Sequence, residues 1–415
     1  MTACGLDFGT SNSTVGCRAG AGAARLLALE DGRPTLPSAV FFHVDDGHTS
    51  FGRAAMADYL EGHEGRLMRS LKSVLGSALL DDMTVAGGRS VSFRDILARF
   101  VAELKARAER AAERPLEAVV LGRPVRFVDD DDAADHAAEA ALVDSARRAG
   151  FREIALQFEP IAAAFDHEAT MTRESIVLVA DLGGGTCDFT IARLGPDRAD
   201  RADRRDDVLA NTGVHVGGTD LDRAFSLAAA MPAFGYGGRL RNGRQMPSAP
   251  YFDLATWHLV NTLYARRQIA RIEALRREAA DPAAIERLLS LLHRRDGHWL
   301  AAQVEAAKVA LSQRADAPLS IERRAGTALV VTRAALESAI APLVERIERA
   351  VREALAAAGL ASARIETVLF TGGSSLVPLL RDRIASIVPQ ARPADGDVFG
   401  AVGLGLALDA QRRFG

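Results

Sequence analysis

The sequence predicts an α/β protein built around a repeated hairpin. Apolar segments alternate between strand-like and helix-like patterns along the chain. The stretch "CGLDFGTSNSTVGC" at residues 4–17 has the same pattern as "LVADLGGGTCDFTI" at residues 178–191. With 415 residues, of which 48% are hydrophobic, the chain can bury two cores, so we expect more than one domain.

Each copy of the repeat consists of an apolar strand, an aspartate, a glycine-bearing turn and a second strand with hydroxyl residues. A Walker A loop needs a lysine and a following helix, so neither copy is a P-loop. Two opposed hairpins instead present backbone N–H groups to phosphates from both sides. Asp7 and Asp181 then face a cation, and magnesium, which keeps several waters, suits two carboxylates. The alternative is that both aspartates only start turns, and that the glycines at 183–185 form an ordinary hairpin turn.

The segments between the copies predict helices and a strand. A helix is predicted by Ser92 and Asp95, which form a capping box, and by apolar residues at helical spacing, namely Ile96, Leu97, Phe100, Val101 and Leu104. "LEAVVLGRPVRF" predicts a buried strand that ends at Pro124, and residues 133–149 predict a second helix, closed by Gly150. Acidic residues at 129–132 are more typical of a helix N-terminus than of a metal cluster.

For two polar stretches, the sequence predicts structure but no chemical role. Residues 195–208, "GPDRADRADRRDDV", are expected to be a polar connection between strands. Residues 252–312 are helical and arginine-rich, and their alternating charges favour exposed helices over a nucleic-acid surface. His293 and the other histidines have no metal-ligand spacing.

Composition excludes several classes of protein. Fifty-one basic and 54 acidic side chains give a formal charge of −3, which does not support nucleic-acid binding. "MTACGLDF" lacks the features of a secretory signal, and "VFGAVGLGLAL" is too short to span a bilayer. We therefore expect a cytoplasmic protein without membrane partners. Cys4, Cys17 and Cys187 show no paired spacing and are expected to be small core residues.

Seven segments, taken together and in order, resemble the ATPase domain of the heat-shock protein 70 chaperones and cover nearly the whole chain. They are "GLDFGTSNSTVG", "LKSVLG", "FEPIAAAFDHE", "VADLGGGTCDFTIARL", "NTGVHVGGTDLDRAF", "VEAAKVALS" and "TGGSSLVPLLRDRI". "GRPVRF" and "LKSVLG" are most similar to a divergent bacterial branch of chaperone-like proteins. Each segment alone is weak, but seven in the family's order are specific.

The resemblance implies an actin-like, ribonuclease H-like fold of two lobes, with duplicated mixed β-sheets flanked by helices around a nucleotide cleft. It places lobe I at residues 1–170, with a core of 1–35 and 113–170 and a peripheral subdomain of 36–112. Lobe II comprises residues 171–375, with a core of 171–215 and 337–375 and a peripheral subdomain of 216–336. Residues 376–415 would form helices that return to the lobe I core.

The resemblance also implies the site residues for ATP or ADP and magnesium. Asp7, Asp181 and, more distantly, Glu159 would hold the water shell of magnesium, and Lys72 would approach the γ-phosphate, with Thr186 and Asp188 beside the attacking water. The catalytic residues are thus Lys72, Glu159, Asp181, Thr186 and Asp188. The nucleotide contacts would be Gly9, Thr10, Ser11, Asn12, Gly183, Gly184, Gly185, Gly217, Gly218, Glu305, Lys308, Ser312, Gly372, Gly373, Ser374 and Asp397. Gly372–Ser374 are expected to open a helix against the nucleoside, and Glu305, Lys308 and Ser312 share one helical face.

Lysine usage supports two of these assignments without any resemblance. The chain has lysine only at positions 72, 105 and 308, so it prefers arginine wherever a cation suffices. An ammonium is a compact point charge and a guanidinium a broad fork, so a tight phosphate or ribose contact can require lysine. Lys105, on the predicted amphipathic helix, is expected to be solvated.

The sequence departs from the family at two places. Val309 and Leu376 stand where the chaperones have the arginines that sandwich adenine, so we expect weaker and less adenine-specific ATP binding. The chain ends at "ALDAQRRFG", where the chaperones continue into a peptide-binding domain, so we expect that domain to be missing. The predicted function is a slow magnesium-dependent ATPase with an unknown protein partner or client. The alternatives are a nucleotide-gated interaction module with negligible hydrolysis and an actin-like metabolite kinase.

Overall fold

The structure, a computed structural model, describes residues 2–18, 24–45, 47–75, 77–128, 131–199, 201, 203–324, 326–395 and 400–415. Its strands are β1 (Ala3–Asp7), β2 (Asn12–Arg18), β3 (Ala24–Leu26), β4 (Thr35–Pro37), β5 (Ala39–His43), β6 (Thr49–Phe51), β7 (Gly65–Arg69), β8 (Met83–Ala86), β9 (Arg89–Ser92), β10 (Ala118–Arg123), β11 (Glu153–Phe158), β12 (Ser175–Leu182), β13 (Cys187–Leu194), β14 (Val208–Val214), β15 (Asp316–Ser320), β16 (Ala328–Thr332), β17 (Thr367–Thr371) and β18 (Arg392–Asp395).

Helices connect and cover these strands, as the alternating sequence pattern predicts. They are α1 (Gly52–Glu61), α2 (Phe93–Ala112), α3 (Asp132–Arg148), α4 (Glu159–Glu168), α5 (Pro196–Ala199), α6 (Gly218–Phe225), α7 (Ala249–Ala255), α8 (Arg266–Glu278), α9 (Pro282–His293), α10 (Gly297–Gln313), α11 (Arg333–Ala357), α12 (Pro378–Ile387) and α13 (Ala401–Phe414). None of the described helices is long and apolar enough to cross a bilayer.

Two compact units divide the chain. The first comprises Met1–Gly213, Ala350–Ser375 and Ala385–Gly415, and the second comprises Val214–Arg349 and Leu376–Ile384. The lobe and subdomain boundaries implied by the family resemblance stay a prediction.

The first unit contains two sheets with the same topology. One has the order β11-β10-β1-β2-β3, with β4 also paired to β2, and the other has the order β14-β13-β12-β17-β18. In both, an antiparallel hairpin is followed by two parallel strands on its first-strand side. The sequence repeat is therefore a structural duplication, and the mixed α/β prediction is confirmed.

Apolar side chains from both sheets form the cores of the first unit. One cluster packs β1, β2 and β10 against α2 and α3, and it includes Leu6, Phe100 and Leu142. A second cluster joins the two sheets through α4 and α13, with Phe165 and Leu406 among its members. A Cβ on Gly405 would lie 1.8 Å from the Ala162 carbonyl oxygen, so only glycine permits this approach of α13 to α4.

Peripheral elements of the first unit surround a smaller apolar group. The antiparallel strands β5, β6 and β7 pack with α1 around Phe41 and Ala55, and β8 pairs with β9 in a separate hairpin. Helix α2 begins as predicted, because the Ser92 hydroxyl accepts the Asp95 N–H at 3.1 Å. Helix α3 begins in the same way at Asp131, which accepts the Ala134 N–H at 2.9 Å. Positions 129 and 130 of the acidic run lie outside the described residues.

The second unit is mainly helical, with the antiparallel pair β15–β16. Buried leucines of α9, such as Leu288 and Leu292, and the buried Tyr251 of α7 form part of its interior. The Tyr251 hydroxyl donates to the Phe234 carbonyl at 3.1 Å, so this buried polar group is satisfied. The prediction that residues 252–312 are helical agrees with α8, α9 and α10, but the expected exposure holds only for α8, since α9 and α10 each bury an apolar face.

The connection at 195–208 is not only a polar link, as the sequence suggested. Arg204 is fully buried, and its guanidinium donates to both oxygens of Glu168 at 2.8 and 3.0 Å and also to Asp207. Arg198 donates to Asp207 as well. A buried charge requires such partners, so the segment is anchored to the end of α4 by ion pairs.

Lys105 corrects a second expectation, since it is not solvated. Its Nζ lies 2.6 Å from Glu109 Oε1 and 5.4 Å from the centre of the Phe151 ring, and only 15% of the side chain is exposed. The helical spacing of the pair aligns the two charges, and the ring covers the ammonium. The three cysteines, by contrast, are buried, as predicted, and none of them forms a disulfide.

Candidate functional site

The turns of the two hairpins lie next to each other in the first unit. A Cβ on Gly184 would lie 2.0 Å from Ser11 Oγ, and one on Gly185 would lie 3.5 Å from the Thr10 methyl group. Glycine at position 184 is therefore required by the approach of the other turn. This explains why the chain has no side chain there, and it brings Thr10, Ser11 and Gly183–Gly185 together as the sequence predicted.

Each turn is held by a serine from elsewhere in the chain. The Ser38 hydroxyl donates to the Gly9 carbonyl at 2.6 Å and lies 3.0 Å from Ser13 Oγ. In the second hairpin, the Ser374 hydroxyl donates to the Gly183 carbonyl at 3.0 Å. Sequence reasoning missed Ser38, because it lies 29 residues from Gly9 and belongs to no local pattern.

Asp7 and Asp181 occupy equivalent positions at the ends of β1 and β12, beside Glu159 and Lys72. Lys72 Nζ lies 2.5 and 2.7 Å from the two carboxylate oxygens of Glu159. Lys72 is on a 3₁₀ turn, Leu71–Val74, and Glu159 is the first residue of α4. A 3₁₀ turn and the start of α4 thus place an ammonium group and a carboxylate near the ends of β1 and β12.

Negative charge exceeds positive charge at these strand ends. Burial, together with Glu159 and Asp181, raises the pKa of Asp7 to about 8, although Lys72 opposes the shift. Burial, Asp188 and Glu159 raise the pKa of Asp181 to about 7, again against Lys72. The pKa of Lys72 is raised: burial lowers it, but the surrounding carboxylates, Glu159 first, raise it by more. The single ammonium does not offset the acids around it.

Thr186 and Asp188 both belong to the second hairpin. The Thr186 hydroxyl donates to Asp188 Oδ2 at 2.9 Å, and Asp188 lies opposite Asp181 in the strand register. Asp188 is the second residue of β13, and Thr186 directly precedes that strand. Register thus places Asp188 beside Asp181, and a hydrogen bond joins Thr186 to Asp188.

The glycine segment after β17 also lies at the second hairpin. Gly372 has a φ of 81°, and a Cβ there would lie 2.5 Å from the Leu182 carbonyl oxygen and 2.7 Å from Asp181 Oδ1. Gly373 begins a 3₁₀ turn, Gly373–Leu376, and α12 begins only at Pro378. The segment Gly372–Ser374 therefore opens a 3₁₀ turn ahead of α12, and its expected contact with the nucleoside stays a prediction.

Other predicted contacts lie in the second unit. Lys308 Nζ lies 2.8 Å from Asp222 Oδ1 and donates to the Gly218 carbonyl at 3.3 Å. The second lysine singled out by composition is thus 8% exposed and bound to the start of α6, next to Gly217. Glu305 is exposed, Ser312 is half-buried, and both lie on α10 with Lys308. Sequence reasoning missed Asp222, which lies on a different helix far from Lys308 along the chain.

Two further predictions concern Asp397 and the first turn. Asp397, expected to contact the nucleotide, lies outside the described residues. Asn12 is the first residue of β2, and Gly9 lies in the turn before it, where a Cβ would approach the Asn12 carbonyl oxygen to 2.1 Å. Gly9 is therefore fixed by the tightness of the turn itself.

Comparisons with known proteins show which family this chain is similar to. The family model described as "Hsp70 protein" matches residues 3–227 and 292–411. The chain is 29% identical to "Chaperone protein HscA" of Serratia proteamaculans, over 98% of this chain and 58% of that protein. It is 26% identical to "Chaperone protein DnaK" of Thermus thermophilus, over 98% of this chain and 60% of that protein. The chain thus spans about three fifths of the length of these relatives.

Proposed function

The chain belongs to the Hsp70 family, and from that premise we propose that it binds ATP with magnesium and hydrolyses the nucleotide slowly. The proposal rests on the close approach of the two hairpin turns, which leaves no room for a side chain at Gly184. Facing turns offer backbone N–H groups and the hydroxyls of Thr10 and Ser11 to phosphate oxygens. Asp7 and Asp181, at the ends of β1 and β12, lie next to these turns.

The residues present fit a magnesium ion. The raised pKa values of Asp7 and Asp181 indicate carboxylates whose charge is not offset by Lys72. In the part of the chain that the structure describes, no three His, Cys, Asp or Glu side chains are arranged to hold a metal ion. Asp7 and Asp181 would therefore hold magnesium mainly through water, which suits its chemistry. When bound, the ion would offset negative charge on phosphate oxygens.

Lys72 and Glu159 would act together on the phosphate side. An ammonium has three donors, so Lys72 can keep one hydrogen bond to Glu159 and direct another to a γ-phosphate oxygen. That charge would stabilise the developing negative charge of phosphoryl transfer. Glu159, Thr186 and Asp188 would accept hydrogen bonds from, and so orient, the attacking water. Positioning of this kind gives catalysis without a covalent intermediate.

Residues of the second unit are proposed as nucleoside contacts, namely Gly217, Gly218, Glu305, Lys308 and Ser312. Val309 is 53% exposed and Leu376 is 40% exposed, although both are apolar. An exposed apolar side chain can cover the face of a base, but it carries no charge and distinguishes adenine from guanine poorly. We therefore propose ATP binding that is only moderately selective over GTP.

Calorimetry tests this part of the proposal. The double change Val309→Arg and Leu376→Arg should tighten ATP binding by roughly ten- to a thousandfold, because each guanidinium on an aromatic face contributes about 0.5–2 kcal/mol. Tight, strictly adenine-specific binding by the natural protein, unimproved by the double change, would place the base elsewhere.

One observation favours the second candidate function, a nucleotide-gated interaction module with negligible hydrolysis. Both oxygens of Glu159 are within hydrogen-bond distance of Lys72 Nζ, so the ammonium is already engaged. A phosphate that cannot compete for it would bind without being cleaved. In either case, we propose that an unidentified protein partner or client responds to the bound nucleotide.

Replacing Lys72 separates the two functions. Lys72→Ala should lose phosphate release by about a hundredfold or more while still binding ATP in calorimetry. Lys105→Ala is the matched control, because it removes another half-buried lysine paired to a glutamate, and it should keep its turnover. A natural protein that binds ATP but releases no phosphate would instead establish the module.

A further inference from the structure

An arginine-rich segment interrupts the family match. The Hsp70 model leaves residues 228–291 unmatched. This segment contains nine arginines and five acidic residues, so its formal charge is +4 in a chain whose net charge is −3. The remainder of the chain therefore carries −7. Positive charge is thus concentrated in the part of the protein that departs most from its family.

Five of these arginines are brought together at the end of α8. Arg241 N–H donates to the Glu278 carbonyl at 2.7 Å, and Ala280 N–H donates to the Arg239 carbonyl at 2.9 Å. These bonds fix the turn at 239–244 against the last turn of α8. The arginine cluster consists of Arg239, Arg241, Arg244, Arg276 and Arg277, all of which are exposed.

Few carboxylates offset this cluster. Among the described residues, Arg276 alone of the five lies within ion-pair distance of a carboxylate, with Glu286 Oε1 3.5 Å away. Glu273 and Glu278 of α8 are exposed, and in the described part of the chain neither lies within ion-pair distance of the cluster. Asp281 accepts the N–H groups of Ala283 and Ala284 at the start of α9. The negative end of the helix dipole accounts for Arg276 and Arg277, and for Arg241, whose Nε donates to the Ala279 carbonyl at 3.3 Å, but not for Arg239 and Arg244.

We propose that the arginine cluster binds an acidic segment of a partner protein. Guanidinium groups bind carboxylates in two-bond pairs, and the backbone bonds already hold the turn in place, so little ordering is needed. A short acidic segment can contact the cluster alone. A nucleic acid is disfavoured because the remainder of the chain carries a formal charge of −7, and because neither "RLRNGR" nor "ALRRE" supplies an aromatic ring for base stacking.

Fluorescence anisotropy with a labelled peptide of ten glutamates tests the proposal on the full chain in 50 mM salt. The triple variant Arg244→Gln, Arg276→Gln and Arg277→Gln should bind the peptide about tenfold more weakly or worse, since each exposed pair contributes modestly. Arg239 and Arg241 are kept, because their side chains donate to the backbone carbonyls of Gly243 in the turn and of Ala279, the residue after α8. Binding by the natural protein should weaken as salt rises to 300 mM.

A matched control removes three exposed arginines from α11, Arg346→Gln, Arg349→Gln and Arg352→Gln. It causes the same charge change and should alter peptide binding by less than about twofold. Equal losses in both variants, or no peptide binding at 50 mM salt, would overturn the proposal. So would tighter binding of a ten-nucleotide thymidine strand than of the peptide, since that would identify a nucleic-acid surface. Thermal melts of both variants establish that they are folded.

Discussion

The two hairpins of the first unit share a topology but differ at one register position. Opposite Asp7 in the first hairpin lies Thr14, whereas opposite Asp181 in the second lies Asp188. A Cβ on Gly403 of α13 would lie 2.1 Å from Thr14 Oγ1, so α13 packs tightly against the first position. Asp188 instead pairs with Thr186 and raises the pKa of Asp181.

This difference shows that two copies of one hairpin can contribute different chemical groups. The first hairpin packs against α13 and contributes Asp7, Thr10 and Ser11 to the proposed nucleotide site. The second contributes backbone through its glycines, and the pair Thr186–Asp188 beside Asp181. Four sets of substitutions test whether the two copies have diverged in this way.

The strands that follow each hairpin end in glycines with different constraints. Gly372→Ala should lower the free energy of unfolding by about 2–5 kcal/mol, because φ is 81° and the new Cβ would overlap the Leu182 carbonyl. Gly122→Ala, at the end of β10, should cost about 1 kcal/mol or somewhat more, since the new Cβ meets the side chains of Glu159 and Leu406 at 3.0 Å.

Urea unfolding measures both changes. Gly359→Ala controls for backbone strain alone, because φ is 63° and no atom lies within 4 Å of the new Cβ. It should cost about 1–2 kcal/mol. If Gly372→Ala were no worse than Gly359→Ala, the second hairpin would not be packed against the β17 turn.

The acids at the strand ends predict an unusual pH dependence in the absence of metal. Their folded pKa values, about 8 for Asp7 and about 7 for Asp181, lie above the unfolded values near 4. The folded state therefore binds more protons between these limits, and the free energy of unfolding should fall as pH rises from about 4 to 8. Thermal melts in a chelator across this range measure the slope.

Asp7→Asn should remove much of that slope and raise stability in a chelator at pH 8 by up to a few kcal/mol. Magnesium should stabilise the natural protein at pH 8 but not the variant. A variant less stable than the natural protein under these conditions would show that Lys72 already offsets the charge of Asp7.

Contact between the turns predicts a compensating pair of changes. Gly184→Ala should cost about 1–3 kcal/mol, because its Cβ would lie 2.0 Å from Ser11 Oγ. Adding Ser11→Ala should restore much of the loss, whereas Gly185→Ala, with its nearest atom at 3.5 Å, should have little effect. Double-mutant analysis of thermal melts tests this, and strictly additive losses would mean that the two turns do not touch.

The two serine anchors predict the smallest effects. Ser38→Ala and Ser374→Ala each remove one hydrogen bond to a turn carbonyl and should each cost about 1 kcal/mol. Ser38 also contacts Ser13, so its replacement should cost slightly more. Hydrogen exchange should report loosening of one turn in each variant, and loosening of both turns by either change would contradict separate anchoring.

Local patterns predicted what local chemistry determines. The repeat identified both hairpins and placed Asp7 and Asp181 at strand ends, and a capping residue located α2. Contacts between distant residues were missed, since no pattern links Ser38 to Gly9 or Arg204 to Glu168. Lys105 was assigned to solvent because helical spacing cannot reveal that Phe151 covers its ammonium.

Steady-state phosphate release from ATP should be measured with magnesium and with a chelator. We expect slow turnover by the natural protein that requires magnesium, because the acids at the two strand ends outnumber Lys72. We also expect that Asp7→Asn and Asp181→Asn each lower that turnover sharply. Turnover that persists unchanged in the chelator, or that survives both substitutions, would contradict the roles given to the duplicated hairpins.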